Sequence, residues 1–172
     1  FYFRGTPLLV QIFLIYYGIA QFEFIRESFL WSFFKDAYWC GILALTLNTC
    51  AYGAEIIRGG IQSVSFGQIE SARSVGMSKF LLYRRIILPI AFRQALPAYG
   101  NEMILMVKAT SLVSTITIMD VTGIARLVIA KTFSPVEIFI MAGLIYLTIN
   151  FIITRLVSFT ETKLTPYLQH AK

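Results

Sequence analysis

The sequence predicts an all-α polytopic membrane protein, and three observations carry that expectation. Of its 172 residues 57% are hydrophobic and only 14% charged, where soluble domains carry about 25% charged residues; the mean hydropathy is +0.71. The apolar residues form long uncharged runs that lack the polar face a soluble helical bundle needs. The cations are grouped between those runs rather than spread along them.

Crossing a hydrocarbon core of roughly 30 Å takes about 20 mainly apolar residues, and four stretches approach that length. Residues 5–22 are uncharged and form the first expected span, opened by Pro7, which a first helical turn tolerates. Residues 23–36 hold five charges and end it. Residues 37–54 form the second, extended by Glu55 and stopped at Arg58-Gly59-Gly60. A third and less clean span starts near Pro97 and carries Glu102 and Lys108 before reaching Met119. Residues 138–154 form the fourth, closed by Arg155.

On a soluble protein the formal charge of +6 would suggest nucleic acid; grouped between apolar runs, it fits the positive-inside rule instead. The loop at 58–96 holds Arg58, Arg73, Lys79, Arg84, Arg85 and Arg93, and the tail holds Arg155, Lys163 and Lys172. The other two loops hold Arg26 and Lys35, then Arg126 and Lys131. Four spans put the central loop and the tail on one side, so that side, carboxyl terminus included, is expected to be cytoplasmic. Asp120 and Arg126 then fall at the outer surface as structural charges. The length suits one domain and leaves no room for a separate catalytic one. Cys40 and Cys50 stand about 15 Å apart on one helix, too far to bridge. His170 has no metal-ligand company, and no nucleophile–base arrangement suggests a membrane enzyme. The chain opens on Phe1 rather than Met, so a preceding segment is expected.

Within the central loop, Val64, Phe66, Ile69, Ala72 and Val75 alternate with Gln68, Glu70, Arg73 and Ser74 as in a short amphipathic helix, with Ser65 placed to cap it. Gly76 breaks the pattern, since glycine accepts backbone angles other residues resist. A helix resumes at Lys79, with Arg84 and Arg85 at headgroup level, and Pro89 marks the return to the membrane. Such a hairpin can offer Glu70 to a partner protein or lie on anionic lipid through its arginines. Composition and periodicity leave both open.

The spacing Glu70-Ser71-Ala72, three residues, Gly76, nine residues, Ile86, one residue, Leu88-Pro89 resembles the EAA motif of bacterial ABC importer permeases, with Ser71 in place of Ala. FRGTPLLVQIFLIYYG at 3–18, AEIIRGGIQSV at 54–64 and RQALPAYGNEMIL at 93–105 resemble the polar amino acid subfamily. Within it the resemblance is to the M-type subunit of histidine/lysine/arginine/ornithine and octopine or nopaline permeases. The resemblance implies a type I ABC importer transmembrane domain over 1–172, with 64–89 as the cytoplasmic coupling loop. Family members have five spans, so the four seen here imply that the first family helix is missing. It also implies a cytoplasmic ATP-binding subunit in two copies, a second permease chain that is identical or homologous, a periplasmic solute-binding protein, and the bacterial inner membrane as the location. The coupling residues it implies are Glu70, Ser71, Ala72, Gly76, Ile86, Leu88 and Pro89. With no GxxxxGK[ST] loop in the chain, no cofactor is expected here: ATP and magnesium belong to the ATPase partner.

Charges within spans cost about 2.5–3.5 kcal/mol each on insertion scales, so each invites a functional reading. Glu55 and Arg58, three apart, share a helix face and can form a local ion pair. Glu102 and Lys108 lie six apart, about 240° out of phase, and cannot simply pair. A polar cavity accounts for both, with Glu102 receiving a cationic side chain, Arg58 a substrate carboxylate, and Asn101 and Lys108 as neighbours. Many family members read KDTS where this chain has Lys108-Ala109-Thr110-Ser111, so charge selectivity does not transfer directly. The hydroxyls of KATSLVSTITI at 108–118 can line a polar path or bond back to the helix. The rival readings are an ion-coupled secondary transporter, which would show inverted repeats absent from this sequence, and a membrane scaffold.

Overall fold

The computed structural model describes residues 2–164, so His170 and Lys172 lie outside the described residues. The described chain is helical: α1 (Tyr2–Gly5), α2 (Leu8–Gln21, passing through a π turn at Leu14–Gly18), α3 (Glu23–Arg26), α4 (Trp31–Phe34), α5 (Ala37–Gln62), α6 (Phe66–Ser74), α7 (Lys79–Ile116), α8 (Val121–Thr132) and α9 (Pro135–Leu164). By length and composition α5 and α9 can each cross a bilayer, and α7 with α8, bent by 49° at the break between them, can make a third span.

Three of the four expected spans differ from the sequence reading in ways the packing explains. The first is broken, because Pro7 sits at the N-cap of α2 in an extended conformation (φ −61°, ψ 134°) rather than inside the first turn. What remains, α2, is about 21 Å long and falls short of the hydrocarbon core. The second runs past Gly59-Gly60 to Gln62, since Gly60 serves close packing: a Cβ there would lie 2.6 Å from the Ala91 carbonyl oxygen and 3.1 Å from Ala95 Cβ. The third begins at Lys79, not near Pro97. Pro89 follows a π turn at Tyr83–Ile87, whose wider winding makes room for the ring, and Pro97 is carried inside the helix.

The helices sort into two compact units, one from the described part of Phe1–Ala51 with Ile104–Phe151, the other from Tyr52–Met103 with the described part of Ile152–Lys172. In the first, Ile12, Ala44, Val113 and Ile116 form the buried core, with Leu8, Ile15, Leu45 and Ile118 packed on it. Gln11 repairs the break at Pro7. Its amide donates to the carbonyls of Phe3 (2.8 Å) and Thr6 (3.0 Å), and its oxygen accepts from Asn48 of α5 (3.1 Å), which also donates to Phe3. Backbone carbonyls freed by a broken helix need such partners wherever water is excluded. Cys40 is buried, Cys50 exposed, and neither is bonded to the other.

In the second unit Val64, Ala72, Leu82 and Ile87 make a separate small core, and a Cβ on Gly100 would overlap Val157. Gly60 against Ala91 gives a direct test of the helix contact. Replacing Gly60 with Ala should lower the thermal midpoint in detergent, at an overpacking cost of about 1–3 kcal/mol. Gly59→Ala, whose Cβ meets nothing within 4 Å, should leave the midpoint unchanged. Equal effects of the two would remove close packing as the reason for Gly60.

Candidate functional site

The hairpin between α5 and the body of α7 is built as its sequence suggests. Ser65 holds the N-cap position of α6, its carbonyl accepting from the amides of Gln68 (3.1 Å) and Ile69 (3.4 Å), though its hydroxyl makes no cap bond. At the other end Gly76 takes φ +78°. The Met77 amide reaches back to the Ala72 carbonyl (3.1 Å) and the Gly76 amide to that of Arg73 (2.9 Å). These paired bonds close the helix in a Schellman motif, and Met77 packs on the Ala72 cluster beside it. Ser78 then starts α7, its hydroxyl accepting from the Leu81 amide.

The motif positions divide by role. Ala72 is buried and Ile86 half-buried against Val64 and Leu82; Ile87, which the motif does not include, belongs to the same core. Glu70, Ser71, Leu88 and Pro89 are exposed, and Glu70 makes no ion pair or side-chain hydrogen bond among the described residues. Between α6 and the start of α7 lies an open groove of about 630 Å³, edged by Gln68, Ser71 and Val75 with Met77 and Ile86 beside them. Val75 is 77% exposed and Phe66 73%, so apolar surface flanks the groove.

The cavity candidates fall in both units, Arg58, Asn101 and Glu102 in the second and Lys108 in the first. Arg58 is exposed and bonded along its own helix, by two contacts to the Glu55 carboxylate (3.0 and 2.5 Å) and one to Gln62 (3.0 Å), which is the local ion pair. Glu102 is 9% exposed and makes no hydrogen bond or ion pair among the described residues. Asn101 beside it is exposed, as is Lys108, which falls in the other unit. No bond links Arg58 to Glu102. In the serine–threonine tract the hydroxyls of Thr110, Ser111, Ser114 and Thr115 each donate to the carbonyl three residues earlier, which is the packing reading.

Asp120 and Arg126 make structural bonds, and Asp120 stands in the break between α7 and α8. Its carboxylate caps α8 through the Gly123 amide (2.8 Å) and accepts from the Tyr146 hydroxyl (2.9 Å), and Tyr146 stands three residues from the middle of the 135–163 span. Arg126 donates to the Ser114 hydroxyl (2.6 Å). The spacing of Asp120 before an apolar α8 was the available signal for the cap; nothing local announced Tyr146.

Comparison with known proteins bears on both hairpin and spans. Residues 1–166 match the family described as binding-protein-dependent transport system inner membrane component. The chain is 63% identical over 167 residues to the nopaline transport system permease protein of Agrobacterium fabrum, covering 96% of this chain and 69% of that protein. It is 60% identical to the octopine transport system permease protein of Rhizobium meliloti (96% and 68%) and 47% identical to the histidine/lysine/arginine/ornithine transport system permease protein of Escherichia coli (99% and 71%). A solved amino acid ABC transporter with histidines aligns with a TM-score of 0.83 at 40% identity, over 94% of this chain and 72% of its own.

Proposed function

The chain belongs to the family of binding-protein-dependent transport system inner membrane components, and on that premise we propose how it moves its substrate and what it moves. It is a membrane permease subunit of an ABC importer for amino acids or opines, as its relatives are. The family works with ATP-binding and solute-binding components. In the finer reading, two ATPase copies, which bind ATP and magnesium, engage two permease chains, identical or homologous. The hairpins at 64–89 and the carboxyl terminus face the cytoplasm, and the periplasmic protein delivers basic amino acids or opines from the other side. Neither an ion-coupled transporter nor a scaffold finds support in the family match.

The observation that carries the coupling reading is the hairpin itself. A glycine-closed turn on its own small core presents Glu70, unpaired among the described residues, a groove and exposed Phe66 and Val75. The apolar rim and the unpaired carboxylate suit a protein cleft, because anionic headgroups that would attract the exposed Arg73, Lys79, Arg84 and Arg85 would repel Glu70. ATP binding by the partner does work here only through contacts that differ between two states, and Glu70, Ser71, Ala72, Gly76, Ile86, Leu88 and Pro89 are the residues through which we read that difference as passing. The substrate path is assigned to Glu102, supported by its low exposure of 9% and by the lack of any partner for its carboxylate among the described residues, with Asn101 next to it on α7 and Lys108 further along; Arg58 is a weaker member because Glu55 and Gln62 hold it.

Reversing the charge tests this. Glu70→Lys in the assembled transporter should cut uptake and transport-linked ATP hydrolysis about tenfold or more, the scale of a mispaired interface charge. The amount of protein in the membrane should not change, since the Glu70 side chain makes no bond among the described residues. Unaltered uptake would overturn the coupling role.

A further inference from the structure

α8 is a short helix held between two strained turns. Among the described residues only Thr117 and Phe133 combine a side chain with positive φ, at 71° and 57°. Thr117 precedes the cap of α8 and Phe133 follows its last turn, so the two bracket it. That region is an outlier for a β-branched or bulky residue, and such strain persists only where surrounding contacts over-determine it. Composition does not require the break. Residues 109–122 contain neither proline nor glycine, which are among the usual causes of a sharp kink, yet α7 and α8 meet there at 49°. Before the break α7 tightens into a 3-10 turn over Thr110–Ile116, a length that is uncommon and often marks a hinge.

Side-chain bonds hold the break instead. The Asp120 carboxylate accepts from the Gly123 amide (2.8 Å) and from the Tyr146 hydroxyl of α9 (2.9 Å), and the Thr122 hydroxyl stands 3.2 Å from that of Tyr146. Arg126 ties the middle of α8 to Ser114 on α7 (2.6 Å). Gly123 fits closely against the turn: a Cβ there would lie 2.6 Å from the Ile118 carbonyl oxygen and 3.2 Å from Asp120 Oδ1. A few hydrogen bonds therefore oppose the strain of two left-handed residues, and the two contributions are of similar size. A balance of that kind shifts under a modest difference in ligand affinity between two states.

On the importer reading, we propose that α8 turns as a rigid rod between Thr117 and Phe133 during the transport cycle, and that the Tyr146–Asp120 bond is the latch that holds it at rest. Release lets Thr117 leave the left-handed region and draws Asp120 away from Tyr146. α8 keeps its form throughout, because its Asp120–Gly123 cap lies within the rod and travels with it. Tyr146 is a positioning residue, acting on α8 through Asp120.

The test reads spin-label distances in the assembled transporter in lipid nanodiscs. The labels sit on Ile124→Cys of α8 and Leu144→Cys of α9, both exposed positions outside the bonded cluster. Cys50→Ser removes the exposed native thiol, and excess unlabelled permease leaves one labelled chain in each assembly. At rest the shorter distance should dominate, and trapping the partner ATPase with ATP and vanadate should populate a longer one. Tyr146→Phe should raise the longer population at rest about fivefold, the scale of one lost hydrogen bond. Thr117→Gly, which relieves the latched form of its strain, should lower it by a similar factor, and the double variant should return it close to wild type. Thr117→Gly should also slow uptake without lowering the thermal midpoint, a combination that a purely structural turn does not give. One unchanged distance in every nucleotide state would overturn the proposal, as would a Thr117→Gly permease that transports at the wild-type rate. The distances are read without substrate, so failure of the importer reading would show separately, as no uptake by the wild-type assembly.

Discussion

Replacing Gly76 with Val should abolish most transport, lowering uptake by at least about tenfold, while the protein still accumulates in the membrane. The backbone at Gly76 has φ +78°, a conformation that costs an ordinary L-residue roughly 1–2 kcal/mol and a β-branched one more. A Cβ at Gly76 meets nothing within 4 Å, so the penalty is entirely conformational and not steric. Relieving it means opening the turn, which breaks the Met77–Ala72 and Gly76–Arg73 bonds and swings α6 away from Leu82 and Ile87. One factor of ten in an equilibrium corresponds to about 1.4 kcal/mol, so the strain alone is enough to depopulate the docked hairpin. Gly76→Asn is the informative companion, because Asn adopts the left-handed region at lower cost and should retain much of the activity. The readouts are uptake by the complete transporter, ATP hydrolysis by its partner, and permease level in the membrane fraction. Wild-type uptake by the Val variant would mean that the turn has no part in coupling.

The hairpin was legible in the sequence because its determinants are local. A short amphipathic period, a glycine at its end and a second helical start lie within about 20 residues, and the motif spacing adds to them. The span boundaries were less legible because they depend on contacts far along the chain. Gly59-Gly60 reads as a helix stop from sequence, yet Gly60 is small because Ala91 lies against it. Pro7 reads as a helix opener, yet it ends one helix and precedes another, and the break is tolerated through Gln11 and through Asn48, 37 residues further on. Pro97 reads as a boundary and is instead carried within α7. For the cavity, polarity inside an apolar run correctly marked Glu102 as unusual. It could not show that Arg58 is held by Glu55 and Gln62 on its own helix, since that choice depends on which partner is nearer.

Glu102→Gln should then separate substrates by charge. The residue is 9% exposed and lacks any hydrogen bond or ion pair among the described residues, and a largely desolvated carboxylate with no partner favours one supplied from outside the chain. A cationic substrate side chain answers that need, and a charge-assisted bond to it contributes about 1.5–3 kcal/mol. Removing the charge with an isosteric amide should therefore lower uptake of arginine or ornithine by about 10- to 100-fold. Citrulline, which keeps the shape of arginine without its charge, should change by less than about threefold, because the amide still offers a hydrogen bond. Membrane level and basal ATP hydrolysis by the partner serve as controls for folding, and neither should move. Parallel losses for arginine and citrulline would make Glu102 a structural residue of α7 and place charge selection elsewhere in the path.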